Sequence, residues 1–373
     1  MARQNVGNPK FYIDLLSYWK AKGNIKASGF PIDGDLTAHY VGGATYHANL
    51  IGLNPTDHVQ EDFEYDASEV LGVGFDSSIE VQQDSEFFFG FLGHNFKEVK
   101  NRNVELELVN DDNDEVSVDY DEIVNLTQDS EIAKDGWSLA KLKENLNDNI
   151  ISHINFIIEN EEAYDNGYLT PLNTSIGSLA FGHIFQMPFS PDLSLTMSRS
   201  YEGVSKQQTI GGSTLTQVNY SKPAEWLGYP AWDLYEASLL TSSELITKYS
   251  SRGRRAWELS YSYIDGDNIF SINENTSNDH ESGIGSNTAS GYTSDDFDSN
   301  GKFNYNIHTG TGSFLGSVME KTMGGALPFI FQPDGNNDAP DQFAICTIDQ
   351  NSFNVTQVAN SVYSVRMVIT ESW

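Results

Sequence analysis

The sequence predicts an all-β protein with a jelly-roll or β-sandwich domain, a second β-rich domain and few helices. The chain has 31 Gly, 18 Tyr and 21 Phe among its 373 residues, a composition that favours strands and tight turns. Several short segments alternate apolar and polar residues, which is the period of a strand with one buried face. Polar turns separate these segments at the spacing that is typical of a β-sandwich.

Residues 1–60 are predicted to form an N-terminal arm. Its apolar cluster, residues 11–19, fits a short helix and a short strand equally well. A segment with so many aromatic rings is not expected to lie bare in water. We therefore expect it to pack on the body of the protein or on another subunit, and both interpretations remain open.

Residues 61–190 are predicted to form the first β domain. The predicted strands are residues 87–92, 104–109, 136–139, 150–158 and 175–182. The order of four segments resembles the galactose-binding-like, discoidin-type jelly roll: residues 91–95, the strand with Trp137, residues 154–158 and residues 176–182. Members of that fold often bind glycans. The resemblance implies a possible sugar site in the loops near His94, Asn95 and Trp137, although a fold alone does not carry a function.

Residues 191–373 are predicted to form the second β domain. Its predicted strands are residues 193–198, 214–220, 257–263, 328–333, 343–348 and 363–369. Residues 273–302 are rich in Ser, Asn, Gly and Asp and contain few apolar side chains, which predicts a long exposed loop within this domain.

Charge and cysteine content exclude several classes of protein. With 21 Lys and Arg against 53 Asp and Glu, the formal net charge is −32, so nucleic acid and anionic membranes are unfavourable partners. A single cysteine, Cys346, excludes an intrachain disulfide, and its apolar neighbours predict a buried, inert thiol. We find neither a secretory signal nor a run of roughly 20 apolar residues. The expected site of synthesis is the cytoplasm.

The basic segment 252–255 stands out in this acidic chain. Arg252, Arg254 and Arg255 precede residues 257–263, where aromatic and aliphatic residues alternate with Glu and Ser. The alternation predicts a strand with one buried face, and guanidinium groups at its start are suited to carboxylate partners. Two interpretations remain open: a salt bridge within the chain, or contact with the acidic surface of a neighbouring copy in a ring.

No motif of a familiar enzyme is present. The eight histidines have no local zinc spacing, and the chain lacks a Walker loop and a nucleophile elbow. We expect no catalytic activity and no cofactor other than a weakly bound calcium ion. Asp296, Asp298 and Asn300 match the start of a calcium loop, but Ile307 stands where the bidentate Glu belongs. An ordinary polar turn is the favoured interpretation of this segment.

Several short segments of the second half resemble a known class of proteins. Residues 187–197, 211–212, 222–223, 253–263 and 329–334 resemble structural proteins of tailed bacteriophages, particularly tail and baseplate proteins of marine phages, including distal-tail proteins. The resemblance implies an oligomeric scaffold in the virion, assembled in the host cytoplasm. Its partners would be further copies of itself and other virion proteins.

Two hypotheses follow from the sequence. The first is a non-enzymatic virion structural protein of a tailed phage, which assembles with itself or with other tail and baseplate subunits. The second is a carbohydrate-binding module or adhesin that recognises a glycan of the host surface through His94, Asn95 and Trp137.

Overall fold

The computed structural model describes residues 6–26, 37–40, 50–53, 61–64, 68–80, 86–92, 94, 102–110, 115–124, 137–143, 150–160, 173–193, 195–200, 204–218, 254–270, 313–339 and 342–372. Strands predominate in this part of the chain, which confirms the predicted all-β class. The helical elements described are α1 (Leu15–Lys22), the single turn α2 (Gly266–Ile269) and a π-helix (Leu315–Met319).

Of the twenty described strands, eleven lie before residue 177 and nine lie after it. The first eleven are β1 (Lys10–Asp14), β2 (Thr37–Tyr40), β3 (Glu61–Glu64), β4 (Ser68–Glu80), β5 (Glu86–Leu92), β6 (Arg102–Val109), β7 (Glu115–Ser117), β8 (Tyr120–Val124), β9 (Trp137–Leu142), β10 (Ile150–Asn160) and β11 (Asn173–Ile176). The remaining nine are β12 (Ser178–Gln186), β13 (Thr196–Ser200), β14 (Val204–Gln208), β15 (Thr214–Val218), β16 (Arg254–Asp265), β17 (Phe329–Gln332), β18 (Ala344–Ile348), β19 (Asn354–Ala359) and β20 (Val362–Glu371).

One large antiparallel sheet organises the protein. Ten of its strands follow the order β13-β16-β20-β18-β17-β1-β12-β5-β9-β8, and β19 pairs with β20 outside this path. Strands from both predicted β domains therefore belong to the same sheet. The strand β1, from the predicted N-terminal arm, lies between them and pairs with β12 on one side and β17 on the other.

A second sheet, in the order β2-β4-β10-β6-β7, covers part of the large sheet. Its buried residues include Leu71, Leu106 and Phe156, which pack against Phe89 and Phe181 of the large sheet. Burial of such side chains is the main source of stability in a sandwich. This half of the fold is the β-sandwich that alternating apolar residues predicted.

The same face of the large sheet carries a second core beside the first. There Trp257, Phe331 and Met367 pack with Phe11 and with Phe314, at the start of the π-helix. A third core lies on the opposite face. The large sheet is therefore apolar on both faces in its centre, which explains why its central strands lack a clean alternation.

The junction of β1 and α1 resolves the two interpretations of residues 11–19. The first residues form a strand and the later ones a helix, and the cluster is buried in the body of the protein. Asp14 ends the strand and caps the helix, since its carboxylate accepts hydrogen bonds from the backbone N–H groups of Leu16 and Ser17 at 3.2 Å. Gly182 lets β12 approach β1 closely. A Cβ at this position would lie 1.8 Å from the Ile13 carbonyl oxygen, so a larger residue would not fit.

Two further predictions concern the buried cysteine and the long polar loop. Cys346 is buried in β18, and burial raises the pKa of its thiol, as expected for an inert cysteine. The predicted polar loop 273–302 lies outside the described residues.

Candidate functional site

The most exposed part of the described structure is the segment that contains β13 and the β14–β15 hairpin. All five side chains of β13 are exposed, and β13 pairs only with β16 among the described strands. Residues 205–217 of the hairpin are also all exposed. A two-stranded hairpin with no buried face is marginally stable by itself in water, so this segment has the character of a binding arm.

Exposed apolar side chains concentrate in this segment. Among the described residues, eight large hydrophobic side chains are exposed, and five of them lie within residues 189–215. Leu193, for example, is 96 % exposed. The five are Phe189, Leu193, Met197, Ile210 and Leu215. Single exposed apolar residues are ordinary, whereas five within one segment make it a candidate interaction surface.

Contacts with β16 hold the start of this segment in place. The Asp192 backbone N–H donates to the Ser260 carbonyl at 2.8 Å, and the Ser262 hydroxyl donates to the Asp192 carboxylate at 2.7 Å. Tyr263, a sixth exposed apolar side chain, lies within β16, next to Ser262. We call the described residues 189–193, 195–200 and 204–218, together with Tyr263, the exposed arm surface.

The basic segment lies at the root of this surface, and Arg255 is bound within the chain. Its guanidinium Nη2 lies 3.0 Å from Glu371 Oε1, and its Nε donates to Oε2 at 3.2 Å. Nη2 also donates to the Phe343 carbonyl, and the group lies 5.2 Å from the ring centre of Trp257. The two side chains are only 12 % and 6 % exposed. For Arg255, the structure therefore has the intrachain salt bridge.

Of the other two arginines, only Arg254 lies within the described residues. Arg254 is half-buried at the first position of β16, opposite Ser200 of β13. Arg252 lies outside the described residues. A role for Arg252 and Arg254 at a subunit interface stays a prediction.

The candidate glycan-binding residues are distributed differently from the sequence expectation. His94 is buried, and its Nε2 lies 2.8 Å from the Ser138 hydroxyl oxygen. Trp137 begins β9, where its backbone is in register with Leu92, and Asn95 lies outside the described residues. A sugar would have to reach His94 inside the protein, so nothing in this geometry favours the glycan site, which stays a prediction.

The candidate calcium ligands Asp296, Asp298 and Asn300 also lie outside the described residues. In the part of the chain that the structure describes, no group of three or more His, Cys, Asp or Glu side chains is arranged to hold a metal ion.

A buried polar cluster that sequence reasoning missed lies where α1 and β12 meet the turn after the π-helix. Lys321 is 2 % exposed, and its Nζ lies 5.1 Å from the ring centre of Tyr18. Burial lowers the pKa of Lys321 to about 8. His183 Nε2 donates to the Ser317 carbonyl at 2.8 Å, since a carbonyl can only accept. Burial lowers the pKa of His183 to about 4, and the Lys321 charge contributes.

These contacts give the cluster a structural role. The aromatic face of Tyr18 and the His183 hydrogen bond hold the helical segment against the large sheet. Its members lie far apart in the chain, so no local motif predicts them.

No family model, curated protein or solved structure matches this chain. Within the described residues, no helix is both long and apolar enough to cross a membrane.

Proposed function

We propose that this protein is a non-enzymatic structural subunit of a tailed-phage virion that assembles with further copies of itself. The observation that carries the proposal is the exposed arm surface, with its outer strand, its hairpin and its exposed apolar side chains. Such a surface suits burial against another protein. Residues 189–193 and 195–197, which belong to a segment of the phage resemblance, form the first part of this surface.

The character of the large sheet adds support to a scaffold role. Ten strands in one path form a sheet whose two faces carry three apolar cores. Among the described strands, β13 and β8 each pair with one neighbour at the ends of this sheet, and a monomeric protein usually protects such an edge. A subunit that assembles does not need that protection, because its neighbour covers the edge.

The proposal is tested by measuring the mass of the full chain in solution, by light scattering and native mass spectrometry, and by imaging the product. We expect a discrete oligomer that electron microscopy shows as a closed ring or regular assembly. A chain that stays monomeric at the highest concentrations reached would contradict the proposal.

A matched pair of variants connects assembly to the exposed arm surface. Leu193→Ser removes an apolar side chain that is almost fully exposed, so the fold should be unaffected while association weakens by about tenfold. Met323→Ser, in the turn after the π-helix, removes an exposed apolar side chain elsewhere and should leave association unchanged. Equal effects of the two changes would speak against this surface.

A further inference from the structure

The strand β19 presents an exposed edge at one side of the large sheet. Among the described strands it pairs only with β20, and five of its six side chains are exposed. Proteins usually guard such an edge against pairing with another chain by placing charged residues or Pro on it. The segment Asn354–Ala359 contains neither, so its sequence leaves the edge unguarded.

The sequence of β19 favours pairing with an identical strand. Its six residues read Asn-Val-Thr-Gln-Val-Ala, without charge, Pro or Gly. Short segments of high β propensity and low charge are those that pair with copies of themselves. The uncharged stretch extends over residues 350–365, in a chain of which 20 % of the residues are charged. A second copy can therefore approach this edge without placing like charges opposite one another.

Contacts at both ends hold β19 in place. Before the strand, the Phe353 ring stacks on Phe314 with 5.4 Å between ring centres, and Val355 packs against the second core. After the strand, the Gly266 backbone N–H donates to the Ser361 carbonyl at 2.8 Å and fixes the turn into β20. Little conformational freedom is lost when a new strand pairs with an edge that is already held in this way.

A two-fold axis perpendicular to the sheet joins two β19 strands as an antiparallel pair. Such an axis keeps each face of the sheet on its own side, so residues of the same face lie opposite one another. Val355 packs against the second core, and the next residue, Thr356, therefore points to the other face. An axis at Thr356, near the middle of the strand, places this residue opposite its own copy and Val355 opposite Gln357. Paired Thr side chains are among those that stabilise antiparallel strands.

We propose that two copies of this chain pair through β19, related by a two-fold axis at Thr356, so that the large sheet of one copy continues into that of the other. This contact uses residues outside the exposed arm surface and goes beyond the function proposed above. Both copies present the same strand, so the contact closes on a pair of chains and leaves no β19 edge open.

Charged residues on the axis test the pairing. Thr356 is exposed, so Thr356→Lys and Thr356→Glu should leave the fold intact. Each variant alone places like charges opposite one another, and we expect pair formation to weaken by at least about tenfold. A mixture of the two variants places opposite charges across the axis and should restore the pair. Size-exclusion chromatography with light scattering measures the association. The control Ala21→Lys adds the same charge at an exposed position of α1 and should have no effect.

Cysteine cross-linking tests the position of the axis. Thr356→Cys alone should give a disulfide-linked pair of chains on oxidation, because this position faces its own copy, and reduction should separate the chains. The native Cys346 is buried and stays in place. The control Ala21→Cys, which is also exposed, should give no cross-link.

The outcomes separate this contact from the exposed arm surface. A pair of chains that Thr356→Lys breaks and Leu193→Ser leaves intact would support the β19 contact and speak against the arm. An oligomer on which Thr356→Lys and Ala21→Lys act equally would overturn the β19 contact and leave the arm standing. Weakening without restoration in the mixture, together with no cross-link, would overturn the two-fold geometry. A monomeric wild type would overturn both contacts and leave the β19 edge to a strand of another protein.

Discussion

The ion pair of Arg255 and Glu371 is the residue-scale feature with the clearest energetic consequence. Glu371→Gln leaves a buried guanidinium without its carboxylate, and we expect the free energy of unfolding to fall by about 3 kcal/mol. The control is Glu258→Gln, which breaks the exposed pair with Arg366 on the same sheet and should cost less than about 1 kcal/mol. Urea denaturation of both variants measures the difference, and equal losses would show that burial is unimportant here.

Asp14 provides a prediction about pH. Burial raises the pKa of Asp14 to about 6, although hydrogen bonds from Ser17, Phe181 and Leu16 lower it in part. Between about pH 4 and pH 6 the native state then binds more protons at this group than the unfolded state, so its contribution to stability falls as the pH rises.

The variant Asp14→Asn keeps a side chain that can cap α1 but cannot titrate. The stability of the wild type relative to this variant should therefore decrease by about 3 kcal/mol from pH 4 to pH 7. Denaturant midpoints measured across this range provide the test. A difference that stays constant with pH would show that Asp14 keeps its ordinary pKa.

At the scale of the element, the stability of the fold depends on the close pairing of β1 with β12. Gly182→Ala places a Cβ in the space of the Ile13 carbonyl, and it should lower the free energy of unfolding by at least about 4 kcal/mol. Gly211→Ala, in the exposed hairpin turn, meets no atom closer than 4.0 Å and should change it by less than about 0.5 kcal/mol. Thermal denaturation compares the two, and a well-folded Gly182→Ala protein would contradict the close approach.

How well each element was predicted depends on what surrounds it. The strand β16 shows its alternation plainly because only one of its faces is buried. The strand β14 was not predicted, since its residues Val204–Gln208 are mostly polar and the hairpin is exposed on both sides. For residues 11–19, the sequence left two alternatives because the cluster contains both a strand and a helix.

The sequence predicts the candidate site only in part, because the contacts within it join residues that lie far apart in the chain. Arg255 was identified from its charge, but its partner Glu371 lies more than a hundred residues further along the chain, so the sequence left both interpretations open. The contact of Lys321 with Tyr18 likewise depends on tertiary packing. Local patterns predict strands, whereas the partners of buried charged groups are set by which strands become neighbours.

At the scale of the whole molecule, the hairpin is separable from the fold. The ends of β14 and β15 are paired, with Val204 in register with Val218, so a short Gly-Ser linker can replace residues 204–218. Because the segment is exposed, we expect the melting temperature to be unchanged and association to weaken. Calorimetry and light scattering measure the two quantities, and a loss of folding would show that the hairpin belongs to the core.

The central position of β1 has a consequence for how the chain is made. Its hydrogen-bonding neighbour β17 lies near the other end of the sequence, and the Tyr12 hydroxyl donates to the Gln332 side chain at 2.8 Å. During synthesis, β1 therefore emerges from the ribosome well before β17, and its second edge is paired only after residues 329–332 have followed. Contacts of such long range slow folding and leave an unpaired strand exposed to aggregation. Productive folding of this protein is thus a late event, completed only when nearly the whole chain is available.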